Sequence, residues 1–131
     1  MTVKEFLIHT YEIVDFGMGK FQTRRPHVMC NDGYTISIQA DEYMYCYPRK
    51  NMESGEYTHL ELGFPNKKDE LIEKYREGDI YPYVPIELVE KLIEKHGGFM
   101  KAMTRCESID MERANNDLLK SATEKECAEW D

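Results

Sequence analysis

The chain has 131 residues, of which 41% are hydrophobic and 32% charged, and its formal net charge is −8. A chain of this size forms one domain with enough apolar surface for a core that needs no disulfide or metal staple. No apolar run approaches the roughly 18–20 residues of a bilayer-spanning helix, and the acid excess disfavours direct nucleic-acid binding, which relies on Lys and Arg neutralising phosphates.

The opening stretch MTVKEFLIHTYEIVDF carries Glu5, Glu12 and Asp15 and lacks the basic region and small-residue cleavage site of a secretory leader, so the expected residence is cytosolic. Cys30, Cys46, Cys106 and Cys127 form no CxxC pair, which argues for free thiols in a reducing compartment. Most of the acid excess falls in residues 61–131. Solubility is its plainer reading, and steering towards a basic partner is the sharper one.

Thr2-Val3-Lys4-Glu5 has the form of a capping box. Behind it, Val3, Phe6, Leu7, Tyr11, Ile13 and Val14 predict a helix running to about Asp15, ended by Gly17 and Gly19. Lys20 to Pro26 reads as a linker bearing Arg24 and Arg25. His27 to Cys30 suits a short strand, Asn31-Asp32-Gly33 a hairpin turn, and Tyr34 to Gln39 a strand with clear alternation. Tyr43 to Tyr47, closed by Pro48, and Tyr57 to Phe64 predict two further strands, making an antiparallel meander over residues 27–64. Helical spacing over Lys67 to Arg76 ends at Gly78. Ile80 to Pro85 must be extended, because each proline drives its predecessor out of the α region. Pro85 then suits a helix start, with Ile86, Val89, Leu92 and Ile93 on the buried stripe and Gly97-Gly98 as the stop. The tail from Phe99 is polar and helix-prone, with Met111, Ala114, Leu118, Leu119 and Ala122 as packing positions and a fraying end. The expected fold class is α+β: an N-terminal helix, a four-stranded antiparallel meander, then two or three C-terminal helices in a single domain spanning 1–131.

Tyr43, Tyr45 and Tyr47 fall on alternate positions and would share one face of a strand. With Asp41-Glu42 as a two-residue turn, Ala40 pairs with Tyr43, Ile38 with Tyr45 and Ile36 with Tyr47, which puts the tyrosines on the core side. A three-residue loop reverses that, since a one-residue slip exchanges the faces. The preferred reading is inward, with the hydroxyls reaching polar partners at the sheet edge. The alternative is an exposed aromatic stripe beside Arg49 and Lys50, suited to base stacking or protein contact.

No residue set is spaced as a metal site, and no cofactor motif is present: GxxxxGK[ST] and GxGxxG are both missing. Cys30 and Cys46 read as small buried hydrophobes and His59 as a surface strand residue. A Cys46 nucleophile with His59 as base lacks any identifiable oxyanion hole. Arg24, Arg25, Arg49 and Lys50 beside the tyrosines could grip an anionic nucleotide, or be solvated loop charges. Glu87, Glu90 and Glu94, with the segment from Glu107 to Glu112, could face a basic groove, or be the wet side of a helix.

The runs Cys30-Asn31-Asp32-Gly33-Tyr34, Ile36-Ser37-Ile38-Gln39-Ala40, Glu42-Tyr43 and Tyr45-Cys46 with Pro48-Arg49 resemble a family of small proteins encoded by phages and prophages of Gram-positive bacteria. Leu62-Gly63-Phe64-Pro65 and the stretch from Tyr83-Val84-Pro85 through Lys95-His96-Gly97-Gly98 share in the resemblance, which spans residues 27 to 98. It assigns no role to any residue. What it implies is a non-enzymatic cytosolic product of a mobile element that inhibits a host defence protein, as an anti-CRISPR protein does by occupying the basic nucleic-acid channel of an effector. A nucleotide-binding sponge for an immune signal is the first alternative, and a self-associating phage structural protein the second.

Overall fold

The computed structural model describes residues 1–103. Helix α1, Val3–His9, starts at the capping box: Thr2 accepts from the Glu5 N–H, and the Glu5 carboxylate takes the Thr2 N–H at 2.9 Å. Strands β1 (Ile13–Asp15) and β2 (Lys20–Gln22) pair as a separate two-stranded sheet. Strands β3 (Val28–Cys30), β4 (Thr35–Gln39) and β5 (His59–Gly63) follow. A single 3₁₀ turn at Glu73–Tyr75 precedes β6 (Ile80–Pro85), helix α2 (Ile86–Lys95) and β7 (Phe99–Ala102). The larger sheet has the order β6-β5-β4-β3-β7 and is antiparallel throughout.

Register explains the core. Val28 opposes Ile36, Ile38 opposes Leu62, Leu62 opposes Tyr81 and Leu60 opposes Val84, so one face of the sheet is continuously apolar. Val3, Phe6 and Leu7 of α1 and Val89, Leu92 and Ile93 of α2 belong to the same buried cluster. Gly55 has φ 67°, and a Cβ there would lie 3.2 Å from the Lys4 carbonyl, so glycine lets the 49–57 loop close against α1. On the opposite face of β4, Thr35, Ser37 and Gln39 are buried too, under the segment that leads into β3. There the Gln39 side chain accepts from the Arg25 N–H at 2.9 Å and donates to the Arg25 carbonyl at 2.7 Å.

Four expectations are corrected. The N-terminal helix stops at His9 rather than near Asp15, because β-branched Ile13 and Val14 enter a hairpin whose bend contains Gly17 and Gly19, both at positive φ. Residues 27–64 hold three strands, not a four-stranded meander: Tyr43 to Tyr47 makes no strand, and the sheet is completed by β6 and β7. The helix expected over 67–76 shrinks to the 3₁₀ turn, since the Asp69 side chain accepts from the Leu71 N–H and holds the backbone in a turn. After α2 no helix follows at Phe99, which starts strand β7 against β3. The structure is therefore mostly β, with two helices among the described residues. The tail positions Met111, Ala114, Leu118, Leu119 and Ala122, the segment from Glu107 to Glu112, Cys106 and Cys127 lie outside the described residues. No helix among the described residues is long and apolar enough to cross a membrane.

Arg25, expected in a solvated linker, is 2% exposed. Its guanidinium donates to the Ala40 carbonyl, to Thr10 Oγ1 at 2.8 Å and to the Leu7 carbonyl at 3.3 Å. It thereby satisfies a C-terminal carbonyl of α1 and ties that helix to the end of β4. Burial pulls the guanidinium below its ordinary value, against the opposing influence of Tyr57 and Asp41. Removing it strands the buried Ala40 and Leu7 carbonyls and the half-buried Thr10 hydroxyl, so Arg25→Ala is expected to cost about 3 kcal/mol. Exposed Arg24→Ala is expected to cost well under about 1 kcal/mol. Urea denaturation of both variants checks this, and equal losses would refute the assignment.

Candidate functional site

Residues 41–49 form a loop whose backbone is held at nearly every step. The Asp41 carboxylate accepts from the Tyr43 N–H at 2.7 Å and the Met44 N–H at 3.1 Å, an Asx-type turn. Cys46 points inward and donates its thiol to the Asp41 carbonyl at 3.2 Å. The Tyr47 N–H donates to the His59 carbonyl at 3.0 Å, and the Tyr47–Pro48 peptide is cis. Glu61 accepts from the Tyr45 N–H at 3.1 Å, and the Tyr45 carbonyl accepts from the Tyr83 N–H at 3.0 Å. Backbone turns and bridges, not a strand ladder, therefore set the direction of each ring.

The direction is outward. Tyr43, Tyr45 and Tyr47 are 61%, 44% and 62% exposed, and Tyr83, from β6, is 42% exposed. The inward reading is corrected: alternation has no fixed face once the segment leaves the sheet and its polar backbone atoms pair locally. Tyr45 and Tyr83 meet with ring centroids 5.9 Å apart, and the Arg49 guanidinium lies 5.4 Å above the Tyr45 ring while donating to the Tyr43 carbonyl at 3.2 Å. Tyr43 stacks on Phe21 at 5.8 Å, and Phe21 in turn contacts Phe16 at 5.8 Å, which extends the aromatic surface onto the β1–β2 hairpin. Tyr83 has φ 53°, a left-handed conformation costing a non-glycine residue about 1 kcal/mol or more. Its N–H bond to Tyr45 holds it there.

The other predicted site residues do not converge on this surface as one cluster. Lys50 is exposed beside Arg49, but Arg24 lies 5.8 Å over the Phe64 ring and Arg25 is buried, so the expected basic quartet is not assembled. Glu87 and Glu94 are exposed on α2, whereas Glu90 accepts from the Val3 N–H at 2.7 Å and joins the two helices. The three glutamates therefore do not form a free carboxylate row. Cys30 and Cys46 are buried free thiols, each pushed up to about 11 by desolvation, so both are protonated at neutral pH. His59 Nδ1 pairs with Thr58 Oγ1 at 2.9 Å, and no Cys46–His59 pair forms. Among the described residues no group of three or more His, Cys, Asp or Glu is arranged to hold a metal ion.

Sequence reasoning missed a second polar constellation at the opposite end of the sheet. His96, at the C-terminal cap of α2, places Nδ1 2.6 Å from an Asp32 oxygen and Nε2 2.7 Å from an Asp69 oxygen, and its ring stacks on Tyr34 at 3.9 Å. Lys95 adds a 3.0 Å bond to Asp69. With both nitrogens engaged, His96 offers no free position as a general base; it clamps the β3–β4 turn to α2 and to the 69–72 turn. Asn31-Asp32-Gly33 and Lys95-His96-Gly97 carried the signal, but as turn and stop chemistry they gave no sign of meeting.

No protein-family model, curated protein or solved structure matches the chain.

Burial alone would raise the Asp69 carboxyl, but bonds from the Leu71 N–H, His96 and Lys95 outweigh it and hold the group below its ordinary value. Asp32 is lowered by the Tyr34 N–H and by His96. A carboxyl depressed in the folded state stabilises it above the unfolded pKa and loses that contribution as pH falls through the folded value. The melting temperature is therefore expected to fall from about pH 4 downwards, and His96→Ala is expected to flatten that fall while costing about 3 kcal/mol at pH 7. Thermal melts of both proteins across pH 2–7 check the sign; parallel curves would contradict it.

Proposed function

We propose that this chain is a non-catalytic binding protein that docks on a protein partner through Tyr43, Tyr45, Tyr47, Tyr83 and Arg49. The carrying observation is the exposure of four tyrosine rings and one arginine on a backbone held by turns and bridges. Tyr and Arg are enriched among the residues that dominate interface energies, and rings fixed before binding lose little conformational entropy on association. The net charge of −8 favours encounter with a basic partner surface. With the resemblance to small phage-encoded proteins, this supports an inhibitor of a bacterial immune effector, of the anti-CRISPR kind, acting in the host cytoplasm. The aromatic surface, rather than the α2 glutamates, supplies the anchor in this reading, and the acid balance supplies steering.

The test uses purified RNA-guided nucleases in a DNA-cleavage assay, with binding measured by calorimetry at low and high salt. Wild-type chain is expected to inhibit at least one effector without turnover. Tyr45→Ala and Arg49→Ala are each expected to weaken binding by about 2 kcal/mol, roughly 30-fold, at unchanged melting temperature. High salt is expected to slow association more than it speeds dissociation. Neither binding nor inhibition across the panel would overturn the inhibitor reading.

A further inference from the structure

A cavity of about 300 Å³ opens between the segment after β5 and the segment before β6, away from the tyrosine surface. It is lined on one side by Phe64, Lys67 and Lys68 and on the other by Arg76, Asp79 and Tyr81. Three cations and one carboxylate line it, and Glu73 pairs with Arg76 from outside the lining, which leaves a small local positive excess in a chain that carries −8 overall. Arg24 sits just outside, 5.8 Å over the Phe64 ring.

The walls are fixed before any ligand arrives. The Phe64 N–H donates to the Asp79 carbonyl at 3.0 Å, which staples one wall to the other. Asn66 accepts from the Thr35 N–H at 3.0 Å and donates to the Gly33 carbonyl at 3.0 Å, so the first wall is anchored on the β3–β4 hairpin. Glu77 and Ile80 exchange backbone bonds of 2.8 and 3.3 Å at the base of the second wall. Arg76 spends its Nε on Glu73 at 2.7 Å, which orients the guanidinium. Phe64 has φ 48°, a left-handed conformation unfavourable for an aromatic residue. A strained aromatic on the wall of a preformed, cation-lined cleft is the pattern of a ligand clamp.

We propose that this cleft binds a small phosphorylated ligand carrying an aromatic ring, in the manner of a nucleoside monophosphate. Lys67, Lys68 and Arg76 take the phosphate, where multiple charge-assisted bonds are strongest. Phe64 contacts the ring, and Asp79, which repels an anion, accepts from ligand hydroxyls instead. The site is independent of the tyrosine surface, so it stands or falls separately from the docking reading.

The experiment is titration of the whole chain with the four common nucleoside monophosphates, followed by NMR and calorimetry, with inorganic phosphate and the free nucleosides as reference probes. At least one nucleotide is expected to bind saturably at or below about 1 mM, with shifts centred on residues 64–81. Lys67→Ala with Lys68→Ala is expected to weaken that binding at least tenfold, whereas Tyr45→Ala leaves it unchanged. Phe64→Gly relieves the backbone strain and is expected to keep the fold, shown by an unchanged amide spectrum outside 64–81, while losing the nucleotide preference over phosphate. No saturable binding by any nucleotide, equal affinity for phosphate and nucleotide, or equal binding by the lysine double variant would overturn the proposal.

Discussion

A buried positive charge organises one end of this molecule. The Arg25 guanidinium bonds to neutral oxygens at the end of α1 and just past β4, with a buried carboxylate, Asp41, near enough to oppose its desolvation. Water would solvate a guanidinium far better than an apolar interior, so the surrounding oxygens must be held in place for the folded state to tolerate it. That requirement fixes the end of α1 and the chain just past β4. Beyond that point Asp41 takes the Tyr43 and Met44 N–H groups and sets the path of the loop that carries the tyrosines.

The other end of the sheet uses the same principle with opposite signs. Two carboxylates, Asp32 and Asp69, converge on His96, and Asn31 reaches the Gly97 carbonyl at 2.6 Å. A turn, a helix end and an irregular segment are joined there by charge-assisted bonds above the apolar cluster that Tyr34, Ile72 and Leu92 share. Between the two ends, the apolar face of the sheet and the two helices form an ordinary packed core. Shape specificity at the ends is polar, and cohesion in the middle is apolar.

What was legible in the sequence follows from this division. The Thr2–Glu5 capping box, the Asn31-Asp32-Gly33 turn, the alternation through Ile36 and Ile38 and the α2 stripe all express local geometry, and each appears where the pattern put it. Ile13-Val14 was ambiguous because a short apolar pair satisfies helical spacing and strand propensity equally. Tyr43 to Tyr47 had flawless alternation, but the decisive facts were Asp41 capping two N–H groups and Cys46 turning inward, which no periodicity reports. Arg25 and His96 were invisible as structural centres because their partners lie 14–18 and 27–64 residues away. Strand β7 was hidden because its register against β3 depends on where α2 ends.

Strand β6 lies at an edge of the five-stranded sheet, and such edges normally invite a further strand from another chain. Pro82 and Pro85 have no N–H to offer, and the Tyr83 N–H is already given to Tyr45. The two prolines make this border a poor template for β-pairing. A strand laid against this side would find no N–H at Pro82 or Pro85, which guards the sheet against edge-to-edge aggregation.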